Sequence, residues 1–104
     1  MKDKLQFYIN GTWVESESNE RIEVINPANE ELIGHVTAGT SGDIDKAVSA
    51  ASKAFKTYQL TTKEDRIEIL NNIITEYKNK YDDLVQTITE EMGAPIWLSD
   101  KAQA

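Results

Sequence analysis

Between Thr62 and Pro95, apolar and aromatic side chains recur every three or four positions, at Ile67, Leu70, Ile74, Tyr77, Tyr81, Leu84, Ile88 and Met92. That recurrence is the period of one helix face, and a second row at Ile69, Ile73 and Val85 widens the stripe to the breadth of a core-facing helix. The polar run from Asn79 to Asp82 interrupts it, so the stretch predicts two helices sharing one apolar seam. Thr62 caps the first, with Asp65 reaching back in a Thr-x-x-Asp box, and Asp82 or Asp83 caps the second. The second stops at Met92-Gly93-Ala94-Pro95, because glycine past a helix end takes a left-handed conformation and proline cannot continue the helix.

The period is different at the start of the chain. Gln6-Phe7-Tyr8-Ile9 and Thr12-Trp13-Val14 are β-prone runs separated by Asn10-Gly11, a pair that tolerates the positive φ angles of a type I′ turn. The hairpin pairs Ile9 with Thr12, Tyr8 with Trp13 and Phe7 with Val14, with both faces partly covered. Arg21 to Ile25 alternates as a half-buried strand, and Asn26-Pro27-Ala28-Asn29 stops it because Pro27 lacks an amide donor and keeps Asn26 out of the helical region. Leu32 to Ala38 is the next strand, with Gly34 marking a bulge or a close backbone approach.

A helix then begins at a cap supplied by Thr40 or Ser41, with Asp43 and Asp45 in the first turn, where the helix dipole favours negative charge. Ile44, Ala47, Val48, Ala51, Phe55 and Tyr58 form its expected buried face, and the small residues Ala47, Ala50, Ala51 and Ala54 permit a close neighbour. After the stop, Pro95 is expected as the first residue of a further helix carrying Ile96, Trp97, Leu98 and Ala102, which reaches Ala104 without closing chemistry, as an element cut short would. The pattern is an α+β segment: a β-hairpin and strands over 1–39, three helices over 40–93, and the start of a fourth over 94–104.

Composition narrows the chemistry. A chain of 104 residues is one domain at most. It has no apolar run of membrane-spanning length and no signal-peptide apolar region, which predicts a cytoplasmic location. Without cysteine, these residues hold no disulfide, thiolate metal site or thiol nucleophile. The net charge of -7 opposes binding to nucleic acid or to an anionic membrane.

The chemistry-bearing residues do not converge. His35 is the only histidine and has no second metal ligand of its kind, so a surface role outweighs a catalytic base. Glu90 and Glu91 point about 100° apart on a helix and read as a solvated face. Tyr77 and Tyr81 at i, i+4 read as packing before a base-stacking platform. Gly39 and Gly42 around Thr40-Ser41 fit neither dinucleotide nor P-loop spacing, and Asp43 would repel an anion, so capping is the better reading. From spacing alone, nothing here catalyses a reaction.

The order of the pieces resembles the N-terminal part of the NAD(P)-dependent aldehyde dehydrogenases. The matching strings are Tyr8-Ile9-Asn10-Gly11-x-Trp13-Val14, then Val24-Ile25-Asn26-Pro27-Ala28-Asn29-x-Glu31-x-Ile33-Gly34-x-Val36. Asp43-Ile44-Asp45-x-Ala47-Val48-x-Ala50-Ala51-x-x-Ala54-Phe55, Arg66, and Glu90-Glu91-Met92-Gly93-Ala94-Pro95 follow in the family's order. Each string is weak singly; together they cover nearly the whole chain.

The resemblance implies a parent α/β fold and an enzyme that oxidises an aldehyde to a carboxylic acid, by hydride transfer to NAD or NADP through a thioester on a cysteine. In that family the cysteine, its base, the oxyanion-hole asparagine and the dinucleotide-holding residues lie beyond the matched part. The segment is therefore expected to be inactive alone, with no catalytic residue and no cofactor of its own. It also implies two sites: a monovalent cation held by the backbone carbonyls of Val24 and Ile25 with the Glu91 carboxylate, and a substrate tunnel that Ala102 would line. Its partners would be the rest of an aldehyde dehydrogenase chain and further subunits of a homo-oligomer. The alternative is a self-standing α+β interaction module, whose seam from Ile67 to Met92 docks a partner helix or a second copy.

Overall fold

A computed structural model describes residues 2–104. The chain divides into two compact units, residues 1–24 with 34–61 and residues 25–33 with 62–104.

In the first unit, β1 (Gln6–Ile9) and β2 (Thr12–Glu15) pair antiparallel in the expected register, Phe7 with Val14, Tyr8 with Trp13 and Ile9 with Thr12. The turn between them uses positive φ at both central residues, 54° at Asn10 and 79° at Gly11, which matches the right-handed twist of the strands. Tyr8 and Trp13 meet with ring centroids 5.1 Å apart. Their face is open, and only the Phe7, Ile9 and Val14 side is half-buried, so the expectation of two covered faces holds for one.

β3 (Arg21–Ile25) and β4 (Leu32–Thr37) form a second two-stranded sheet. The N-terminal arm runs parallel to β4: the Lys4 amide donates to the His35 carbonyl at 2.8 Å, and the Thr37 hydroxyl donates to the Leu5 carbonyl at 2.8 Å. This arm explains Gly34. A Cβ there would lie 2.3 Å from the Lys2 carbonyl oxygen, so the close approach, not a bulge, is what the glycine permits. β4 stops one residue short of expectation, and the Ala38 amide donates to the Glu20 carbonyl at 2.9 Å.

α1 (Ser41–Tyr58) opens on a complete capping box in which the Thr40 hydroxyl accepts from the Asp43 amide and the Asp43 carboxylate accepts from the Thr40 amide. The hairpin turn and the Ala47, Ala50, Ala51 and Ala54 side of α1 line one open cleft, and of these alanines only Ala50 is half-buried. The larger apolar residues are not covered. Ile44, Ala47, Val48, Ala51, Phe55 and Tyr58, expected inside, are all exposed, because nothing among the described residues of this unit covers that face of α1.

In the second unit, α2 (Lys63–Asn79) starts on the expected Thr62/Asp65 box, and α3 (Tyr81–Met92) follows after one residue. The expected cap at Asp82 or Asp83 is absent. Lys80 holds the break at φ -105° and ψ 8°, its amide closes α2 on Glu76 and Tyr77, and its carbonyl receives the Leu84 amide, so the two acids sit inside the first turn of α3. Gly93 ends α3 at φ 66°. Pro95 is the cap, not the first helical residue, because its ψ of 140° is extended; α4 (Ile96–Leu98) begins one residue later and runs into a π-helical turn over Ser99–Gln103. Val85 is the buried apolar residue of this unit, and Ser99 is fully buried with its hydroxyl 2.8 Å from that of Thr89. The α2 part of the seam, Ile67, Leu70, Ile73, Ile74 and Tyr77, is exposed. Among the described residues no helix is long and apolar enough to cross a membrane.

Candidate functional site

Val24 and Ile25 are the last two residues of β3, where the strand gives way to the turn over 26–31. That turn is tightly bound to itself. The Asn26 side-chain oxygen accepts from the Ala28 amide at 2.9 Å, the Asn26 amide donates to the Glu31 carbonyl at 2.9 Å, and the Glu30 amide donates to the Asn26 carbonyl at 2.8 Å. Such an Asx turn directs the backbone after Ile25 with no help from distant residues. Glu91, one residue before the end of α3, is exposed, while the neighbouring Glu90 carboxylate accepts from Gln86 at 2.9 Å. The turn and the end of α3 belong to the same unit and touch: a Cβ on Gly93 would lie 2.9 Å from the Ala28 amide nitrogen and from Pro27 Cγ. Among the described residues no three histidine or carboxylate side chains converge on one point.

Ala102 lies exposed in the π-helical turn. Two phenols grip the carbonyls of this terminal stretch, Tyr81 donating to Asp100 and Tyr77 to Ala104. Partial burial, followed by the Asp100 side chain, pushes the Tyr81 phenol above its ordinary value. The edge-on Tyr77–Tyr81 pair, 6.2 Å between centroids, thus spends its hydroxyls on backbone, as packing aromatics do.

The helix start at Gly39–Gly42 is filled by protein carboxylates. Asp43 is buried and accepts from the Ser16 hydroxyl at 2.6 Å, from the Thr40 amide at 2.9 Å and from the Glu17 amide at 3.3 Å. The Ser16 bond first, and then the Thr40 amide, hold its carboxyl well down, at about 2. Glu17 lies over Gly42, whose Cβ would meet its Oε2 at 2.3 Å, and pairs with Lys46, which raises the Lys46 ammonium above its usual range. Two carboxylates in this cradle leave no place for the phosphates of a dinucleotide, so these residues do not fit that group.

His35 has a partner that the sequence did not signal. Asp3 accepts from the His35 amide at 3.0 Å and sits 3.1 Å from its Nδ1, and this contact holds the Asp3 carboxyl below the ordinary range. The Ser16–Asp43 contact was equally hidden, since nothing in a 27-residue separation announces it. An acidic residue in a Thr-x-x-Asp box was the available signal, and it marked the cap without the loop that closes over it.

The sequence model of the Aldehyde dehydrogenase family matches residues 13–103. A Staphylococcus aureus relative, strain bovine RF122 / ET3-1, carries an aldehyde dehydrogenase name and is 52% identical over 101 residues, which are 97% of this chain and 21% of the relative. The crystal structure of an aldehyde dehydrogenase from Bartonella henselae superposes with a TM-score of 0.96 at 38% identity, over 99% of this chain and 22% of that one. Aldehyde dehydrogenase C from Pseudomonas syringae, in complex with NAD+ and octanal, gives a TM-score of 0.91 at 38% identity over 94% of this chain and 20% of its own. This chain thus spans about a fifth of the length of the relatives it matches. With the family's sequence matched from Trp13 nearly to the last residue and a solved aldehyde dehydrogenase superposing on 99% of it, the chain belongs to the aldehyde dehydrogenase family.

Proposed function

We propose that this chain supplies the N-terminal part of a cytoplasmic enzyme that oxidises an aldehyde to a carboxylic acid with NAD+ or NADP+. Aldehyde, water and oxidised dinucleotide are consumed; acid, a proton and reduced dinucleotide are formed. The observation that carries the reading is the family match over residues 13–103 in a chain that spans 21% of its curated relative. With no cysteine among these residues, the thioester nucleophile must come from elsewhere, and the chain alone is inactive.

What the chain contributes in this reading is a scaffold. The exposed apolar faces of α1 and α2 pack on the remainder of the enzyme, which is its principal partner, and further subunits complete a homo-oligomer. Val24, Ile25 and Glu91 are the proposed holders of a monovalent cation, supported by the contact of the Pro27 turn with Gly93, close to Ile25 and Glu91 in the same unit. Ala102 is the proposed tunnel-lining residue, supported by its exposure on the terminal turn.

The test is complementation. The purified chain, given aliphatic or aromatic aldehydes with NAD+ or NADP+, is expected to form no reduced dinucleotide. Mixed with the portion of the Staphylococcus aureus relative that follows its 101 matched residues, it is expected to bind and restore turnover. Turnover by the chain alone, or failure to bind the complementary portion, would refute the proposal.

A further inference from the structure

We infer that Asn10 is a site of spontaneous deamidation, which places a new carboxylate at the hairpin turn, beside the cleft it shares with Lys46 and Lys53 of α1. Of the seven asparagines in the chain, Asn10 is the one followed by glycine. The reaction needs the following backbone nitrogen to reach the side-chain carbonyl carbon, and a residue without a Cβ removes the main obstacle to that approach. Here Gly11 has no neighbouring atom within 4 Å of the place a Cβ would take, and both residues of the turn are exposed. The other turn asparagines are held differently. Asn26 commits its oxygen to the Ala28 amide and precedes Pro27, which has no N–H, and Asn29 is tied through both side-chain atoms to Glu31.

The chemistry balances without any oxidant. The Gly11 nitrogen loses its proton and bonds to Asn10 Cγ; the bond from Cγ to Nδ2 breaks and ammonia leaves. Water then opens the five-membered imide at either carbonyl, giving aspartate at one and isoaspartate at the other. Negative charge develops during the attack and persists in the product. Asn10 lines one cleft with Asp45, Lys46, Ser49 and Lys53 of α1, so two ammonium groups and one carboxylate share the cleft in which that charge appears, and the balance is positive. Lys46 is already paired with Glu17, which leaves Lys53 as the residue whose charge can be varied cleanly. The isoaspartate product also adds a backbone carbon to a two-residue turn, and a turn of that length sets the register that holds Tyr8 against Trp13.

Mass spectrometry of the full chain held at mildly alkaline pH, with enzymatic methyl labelling of isoaspartate, measures the rate at each asparagine. Native Asn10 is expected to convert several-fold faster than any of the other six, with a change in Trp13 fluorescence following the isoaspartate fraction. Lys53→Gln should slow native conversion and leave the urea-unfolded chain unchanged, and Gly11→Ala should nearly abolish it in both. If native Asn10 is no faster than the other six while the unfolded chain converts there, the folded turn protects it and the inference fails. Equal native rates with and without Lys53→Gln would remove the lysine from it.

Discussion

The Ser16 hydroxyl donates to the Asp43 carboxylate at 2.6 Å across 27 residues of chain, joining the loop after β2 to the first turn of α1. Ser16 therefore does two things, since its oxygen also accepts from the Ser18 amide at 3.0 Å and shapes the loop that delivers it. The Asp43 carboxyl, held at about 2 against an ordinary 3.8, is depressed in the folded state. A depressed carboxyl contributes stability above its unfolded value and loses that contribution as pH falls toward its folded one. Acid destabilisation of this unit should thus fall between about pH 4 and pH 2. Ser16→Ala should raise the Asp43 carboxyl toward 3.8 and move the acid transition to higher pH, both readable from carbon-detected titration of Asp43.

Gly93 has two independent reasons to be glycine, and they can be separated. Its φ of 66° penalises any residue with a Cβ by about 1 kcal/mol, with asparagine penalised least. Its Cβ position also lies 2.9 Å from the Ala28 nitrogen and Pro27 Cγ, a contact that asparagine relieves no better than alanine. Gly93→Ala and Gly93→Asn are therefore expected to destabilise by similar amounts in denaturant titrations. A clear rescue by asparagine would show that the turn yields and that the backbone angle alone matters.

The two capping boxes predict a matched pair of losses. Thr62→Ala removes the hydroxyl that accepts from the Asp65 amide at 3.1 Å and should cost about 1 kcal/mol, with Thr62→Ser recovering most of it. The Asp65 carboxyl, held down mainly by the Thr62 amide, should keep most of its depression in Thr62→Ala because that amide remains. Thr40→Ala should cost more than Thr62→Ala, since the Thr40 hydroxyl and the Ser16 hydroxyl both serve the same buried carboxylate. Helix loss followed by circular dichroism in urea measures the order.

What was legible in the sequence was local. The Tyr8–Trp13 register follows from a two-residue turn, and the capping by Thr62 and Thr40 and the helix stop at Gly93 act within four residues, so the chain around each carries that part of the signal. Periodicity told which faces of α1 and α2 are apolar but not what would meet them: Val48 and Phe55 carry the pattern of a core and stand exposed, as do Ala47 and Ala51 beside the hairpin cleft. The α2 to α3 break was placed correctly and explained wrongly, since Lys80 turns the chain by its backbone and needs no acidic cap. Asp43 and His35 were read through their neighbours in sequence, and the distant partners they also have, Ser16 and Asp3, are 27 and 32 residues away. Of the candidate site, the turn at Asn26-Pro27 and the stop at Gly93 could be read singly, and their contact could not.

Ser99 gives the sharpest energetic test, because it is fully buried with its hydroxyl 2.8 Å from that of Thr89. Removing one partner of a buried pair strands the other, and that costs about 1–3 kcal/mol, whereas replacing both by apolar groups of the same shape is close to neutral. Ser99→Ala alone should therefore destabilise the unit, and Thr89→Val alone should do the same. The double variant should be less destabilised than the sum, and the shortfall is the coupling across the pair. The same variants should loosen the terminal turn, where the Tyr77 and Tyr81 hydroxyls hold the carbonyls of Ala104 and Asp100. Amide exchange at Asp100 to Gln103 would show it as faster exchange in either single variant, with protection partly restored in the double. Simple additivity in stability together with unchanged exchange would mean that the two hydroxyls are neighbours without being coupled.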